Sequence, residues 1–133
     1  MRRFTKYLIG AVMLAVLTLV GSAGMASAAS VAPVSGIGNP SCAGGLKIEP
    51  VQSGQYGPVT IVVSGQSFGF STSGDVVTSV IVKGGPGYNL YSYPAPGVTS
   101  DSGLTAPTNA KTGQPYGLSH LCFFTEKKGE DPK

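Results

Sequence analysis

The stretch "VVTSVIVKGGPGYNLYSY", residues 76–93, decides the fold. A β-branched apolar run ends in a cluster of glycines and resumes as a run studded with tyrosines. A phosphate-binding loop would need its glycines followed by Lys-Ser/Thr and a helix, so that backbone N–H groups face the anion. Here Lys83 precedes the glycines, Pro86 removes a donor N–H, and the strand-like YNLYSY follows. A dinucleotide fingerprint fails for the same reason. The stretch therefore reads as two strands joined by a bend. Gly84, Gly85 and Gly87 permit positive φ there, Asn89 is placed to bond the turn's backbone, and Lys83 is a solvated edge charge.

The same grammar extends in both directions. LKIE (46–49), VTIVV (59–63), SFGFS (67–71), VVTSVIVK (76–83), YNLYSY (88–93) and GLSHLCFFT (117–125) are short runs. Most are rich in residues that favour pleated backbone. SGQYGP, TSGD, KGGPG, PAPG and KTGQPYG separate them as turn signals. After residue 28 no stretch carries apolar residues at i, i+3, i+4, i+7 over three turns. The pattern predicts an all-β domain over 41–125, an antiparallel sandwich or partly closed barrel of about six to seven short strands. Residues 29–40 read as an extended lead-in segment. Residues 94–116 read as a long irregular connection in which Asp101 and Asn109 bond local backbone. Residues 126–133 read as a charged, solvated tail.

Arg2, Arg3 and Lys6 stand before the apolar YLIGAVMLAVLTLV (7–20) and the small-residue GSAGMASAA. This is the layout of a secretory signal peptide, residues 1–28, with Ala26-Ser27-Ala28 at the cut. The 14-residue apolar stretch is short for the roughly 20 that span a bilayer as a helix, so an uncleaved anchor is the weaker alternative. FTK after the paired arginines departs from the twin-arginine order, and no cysteine at the cut offers a lipid attachment point. Removal of the leader predicts a secreted, extracellular chain with no stable membrane span. It also takes three of the nine basic residues, leaving 9 − 3 = 6 against six acids. A formally neutral chain has no basic stripe for nucleic acid.

The remaining 133 − 28 = 105 residues suit one domain. A domain of that size buries only about two-thirds of its unfolded surface, so a staple helps. Cys42 and Cys122 are the two cysteines, and an even count in an exported chain predicts a disulfide. Closing so long a loop is worth about 4.5 kcal/mol in the chain-entropy model. Two buried free thiols are the alternative, and a metal site is poorer, since neither cysteine lies in a CxxC motif.

The series PSCAGG, LKIEPVQSGQY, VTSVIVKGGPGYNLYSYPAPGVTSDSGLTAPTN and GQPYGLSHLCFF resembles a domain recurring in secreted and surface-attached proteins of bacteria, mostly of unassigned function. That domain shows an early Cys, a K-I/V-D/E-P…SG-x-Y segment and a V-I/V-V-K-G-G-x-x-x-N-x-Y-x-Y segment. It continues with D-S/T-G-L-x-x-P-x-N and closes in SH-I/V-x-F-C. The similarity covers about residues 40–124 and rests on many coincident spacings. It implies an extracellular setting and supplies no catalytic residue. The domain's late cysteine falls at the position of Phe124, whereas the cysteine here is Cys122. A shift of two keeps the side chain on the same strand face. Members are often parts of long chains with stalks and wall anchors; this chain looks like the domain released alone.

Candidate chemistry is sparse. His120 is the only histidine, and no serine sits in a G-x-S-x-G elbow. On a strand His120 shares a face with Cys122 and Phe124, while Leu121 and Phe123 take the other. It reads as a histidine hydrogen-bonded within the sandwich rather than the base of a triad, which needs a nucleophile and an orienting carboxylate. Glu49, Asp75 and Asp101 are far apart in sequence and the other acids lie in the tail, so no pair signals glycosidase chemistry. Asp101-Ser102-Gly103 is too short for a calcium loop. No catalytic residue, metal site or cofactor is expected.

Tyr88, Tyr91 and Tyr93, with Tyr56 and Tyr116, offer flat faces to a sugar or a partner. Tyr91 and Tyr93 share one strand face and Tyr88 takes the other. Core packing with each hydroxyl at the rim is the favoured reading of them. The candidate ligand surface is Tyr88, Asn89, Tyr91, Tyr93 and His120. The expected function is a non-catalytic extracellular domain with a structural, adhesive or surface-binding role toward polysaccharide or a cell-surface component. The alternative is a small secreted hydrolase acting on cell-wall or plant polysaccharide.

Overall fold

A computed structural model of the protein describes residues 29–128. The predicted leader, 1–28, and residues 129–133 lie outside the described residues. Five strands, β1 (Val34–Ile37), β2 (Leu46–Ile48), β6 (Asp75–Gly84), β7 (Gly87–Ser92) and β9 (His120–Lys127), form one antiparallel sheet in the order β1-β7-β6-β9-β2. Four more, β3 (Gly54–Tyr56), β4 (Val59–Ser64), β5 (Ser67–Thr72) and β8 (Ser100–Thr105), form a second antiparallel sheet in the order β3-β4-β5-β8. The two sheets pack face to face as a sandwich, so the partly closed barrel is set aside.

The 76–93 stretch is the β6–β7 hairpin. Gly84 pairs with Gly87 around the two-residue turn Gly85-Pro86. Gly85 has φ +60°, and proline fixes the next φ near −65°, which is the II′ arrangement suited to twisted strands. Gly57-Pro58 does the same between β3 and β4. Lys83 Nζ donates to the Gly85 carbonyl at 2.6 Å and closes the turn. A side chain at Gly85 would also meet the Tyr116 ring at 2.5 Å. The glycine cluster bends backbone.

Alternation places the core. Val80, Val82, Tyr91, Leu121, Phe123 and Ile48 face inward from the larger sheet; Val59, Ile61, Phe68, Phe70 and Leu104 meet them from the smaller. Phe123 stands edge-to-face against Phe70 at 5.2 Å and Phe68 at 6.2 Å, and Phe70 against Tyr93 at 6.1 Å. As expected, His120 and Cys122 lie on the other face of β9 from Leu121 and Phe123.

Nine strands replace the six or seven expected, and the three additional ones share a physical reason. β1, β3 and β8 are edge strands with little apolar alternation. The lead-in segment contains β1, paired with β7. The SGQYGP turn signal contains β3. The 94–116 connection contains β8, paired with β5, so it is not wholly irregular. Asn109 does bond locally, accepting from Lys111 N at 2.9 Å, and so does Asp101, accepting from Ser102 N at 2.9 Å, although it is a strand residue with distant partners as well. At the C-terminal end Glu126 and Lys127 pair with Val76 and Asp75. The sheet thus runs two residues into the segment read as tail.

Candidate functional site

The structure splits the candidate ligand surface in two. Asn89, Tyr91 and Tyr93 point into the sandwich and are buried. Asn89 Nδ2 donates to the Thr105 carbonyl at 2.8 Å, and its Oδ1 accepts from Ser35 Oγ. The Tyr91 hydroxyl accepts from Thr105 N at 3.0 Å and donates to Thr105 O at 3.2 Å. The Tyr93 hydroxyl donates to Asp101 Oδ2 at 2.7 Å. Burial, then that hydrogen bond to the Asp101 carboxylate, push the Tyr93 phenol far above its ordinary range, so it remains a donor. These three residues form a polar row that joins β7 to edge strand β8 across the gap between sheets. As a ligand surface they are corrected: their polar groups are spent on β8, and Asn89 bonds β8 and β1 rather than the nearby turn. Their hydroxyls are internal, not at the rim.

Tyr88 and His120 face the other way. On the outer face of the larger sheet Lys83 pairs directly with Tyr88 on one side and with His120 on the other. Opposed residues of an antiparallel pair stand about 5 Å apart, so Tyr88, Lys83 and His120 form one continuous row over β7, β6 and β9. Lys47 of β2 and Glu49, the residue after it, flank the row, their Nζ and Oε1 3.2 Å apart. The Tyr88 ring lies against Gly36 of β1, where a Cβ would have no room.

A strap crosses this face. β1 and β2 occupy opposite edges of the sheet, so residues 38–45 must traverse it. Four strand spacings are about 19 Å, within the roughly 27 Å that eight extended residues reach. Gly38 N donates to the Pro86 carbonyl at 2.9 Å. Cys42 is bonded to Cys122 on the outer face of β9, with Cα atoms 5.7 Å apart. Gly45 lies against Phe124, whose ring a Cβ there would meet at 2.9 Å.

Between strap, hairpin and β2 lies an open depression of about 470 Å³, lined by Asn39, Lys47, Glu49, Lys83, Ser119 and His120 among others. His120 is only 6 % exposed. It is therefore buried, as expected, but beneath the strap and not within the sandwich. Among the described residues its imidazole has no hydrogen-bond partner. Desolvation first, then the Lys47 charge, with a smaller effect from Lys83, push its pKa below the ordinary value against the opposing pull of Glu49. The ring is neutral at pH 7 and offers one N–H donor and one acceptor nitrogen. Neither Glu49 nor Ser119 holds that ring in the manner of a triad. No cluster of three or more metal-ligating side chains occurs among the described residues.

No protein-family model, curated protein or solved structure matches this chain. Sequence reasoning missed Lys47 and Glu49 as neighbours of His120. Their i, i+2 spacing in LKIE was the available signal, since it puts both on one face of an extended chain.

Proposed function

We propose that the protein is an exported, non-catalytic β-sandwich domain with a structural or adhesive role outside the cell, and that its ligand-facing surface is the Tyr88–Lys83–His120 row. The observation that carries this reading is the contrast in polar satisfaction. Buried polar groups are ordinarily hydrogen-bonded. Asn89 obeys that rule, while His120 lines a depression with its imidazole unpartnered among the described residues. A ligand oxygen in the depression can serve the imidazole as solvent otherwise does.

Two lysines to one glutamate line the site, which favours an acidic glycan or cell-surface polymer over a neutral one. Tyr88 adds an aromatic neighbour to the cation in the same row. Export is supported by the leader pattern of residues 1–28 and, more weakly, by the disulfide. The resemblance to bacterial surface domains points the same way.

Retention on immobilised polygalacturonate, alginate, cellulose, chitin and xylan tests the reading. Retention on the acidic polymers, lost in Lys83→Ala and His120→Ala with folding intact, is expected. Passage through every column would overturn it. The hydrolase alternative draws on Glu49 and Ser119 lining the same depression as His120; release of reducing ends from any of these polymers, abolished by His120→Ala, would establish it instead.

A further inference from the structure

We propose that removal of residues 1–28 creates, at Ala29, the cation that Asp101 lacks, so that processing locks the N-terminal segment onto the sandwich. The proposal rests on the export reading for the position of the cut. The docking itself rests on the geometry around Asp101.

Asp101 collects donors from three places. Ser30 N donates to both carboxylate oxygens at 3.1 Å, and Ser30 Oγ donates to Oδ2 at 3.1 Å. Tyr93 OH donates to Oδ2 at 2.7 Å from just past β7, and Ser102 N donates to Oδ1 at 2.9 Å from β8. Every one of these donors is neutral. The ion pair found among the described residues joins Lys47 to Glu49, and among those residues no cationic side chain pairs with Asp101. A carboxylate that already gathers several neutral donors at one point of the surface attracts a cation brought beside it.

The missing charge has an evident source. Ser30 is the second residue after the Ala28–Ala29 bond. Hydrolysis of that bond consumes one water, leaves a carboxylate on Ala28 and frees an amino group on Ala29, which takes up a proton at neutral pH. The new ammonium lies within about 3.8 Å, one residue spacing, of the Ser30 nitrogen already bonded to Asp101. That distance is within reach of the carboxylate. The segment is seated to receive it. Ala29 and Val31 pack against the core, and residues 29–33 line a depression with Tyr91, Gly103 and Thr105. The ionisable groups beside the segment are Asp101 on β8, bonded to Ser30, Tyr91 on β7, which lines the depression with Ala29, and Tyr93 just past β7, bonded to Asp101. The segment therefore covers the seam between the sheets beside the polar row.

Pairing raises the ammonium's pKa above the ordinary α-amino range of about 7.7–8.0. With a raised folded value, the stabilisation is fully present below the unfolded pKa and is lost as pH rises through the folded one.

The test uses the full precursor, exported and purified as the processed chain. Intact mass first reports the cut. The α-amino group is then titrated by NMR in the wild type and in Asp101→Asn, and Tm is measured for both, with and without two alanines inserted after Ala28. An α-amino pKa above the ordinary range, restored by Asp101→Asn, is expected. So is a Tm loss from the insertion of about 4 °C or more with Asp101 and a smaller one with Asn. An α-amino group that titrates ordinarily, or an insertion that costs the same in both backgrounds, would overturn the docking. A cut elsewhere would overturn the processing assignment alone. The same titration on a chain released at Ala29 by an engineered protease site then decides the docking by itself.

Discussion

Asn89 and His120 are the two polar or charged side chains classed as buried among the described residues, and they are buried in opposite ways. Asn89 lies on the inner face of the larger sheet, where both ends of its amide are bonded. His120 lies on the outer face, beneath a disulfide-tethered strap, with two lysines nearby and no hydrogen-bond partner among the described residues. Satisfied polar groups between packed sheets fix which strand lies opposite which. One that lines an open depression and bonds no protein group is free to bond what enters from solvent.

The largest effect should come from freeing the strap. Cys42→Ser with Cys122→Ser should cost about 2–5 kcal/mol in denaturant unfolding. It should also move the His120 pKa back toward 6.5 as the ring gains water. A histidine that titrates unchanged in that variant would show that the strap does not bury it.

Next is the inner row. Tyr91→Phe leaves the Thr105 N–H without its partner and should cost about 1–3 kcal/mol, with glycan retention unchanged. Loss of retention at intact stability would reverse the roles given to the two faces.

His120→Gln, which keeps a polar side chain in place, should change stability least, by about 1 kcal/mol or less, and yet abolish retention on acidic polymer. Acid should act through the same residue. A pKa below the ordinary value means that the unfolded chain binds the proton more readily. The stability contribution is therefore present above about pH 6.5 and lost as pH falls from there through the folded value. His120→Gln should flatten that segment of the stability–pH curve measured by urea unfolding.

Much of this was legible in the sequence, for reasons that also mark where legibility stopped. β4, β5, β6, β7 and β9 announce themselves through β-branched or aromatic runs bounded by glycine turns. The period of two correctly put Tyr91 with Tyr93 and opposed His120 to Leu121. β8, SDSGLT, carries a single large apolar residue, Leu104. It is a strand because β5 pairs with it and because Asn89, Tyr91 and Tyr93 bond it from the opposite sheet, and none of those contacts is local. For the same reason the tyrosine pattern shows which residues share a face but not that the polar face is the inner one. The strap is a consequence of sheet order, with β1 and β2 at opposite edges, and composition contains no trace of that. Cys42 and Cys122 could be paired by count, but the bridge's position beside His120 could not.

A titration of His120, the chain's single histidine, tests the central claim most directly. Its ring resonances report on one site without interference. In the free protein the imidazole should titrate below 6.5, and addition of oligogalacturonate should shift its resonances and raise its pKa, because a carboxylate beside the ring favours the charged form. A ring that titrates at or above 6.5 and ignores the oligomer at saturating concentration would contradict the account.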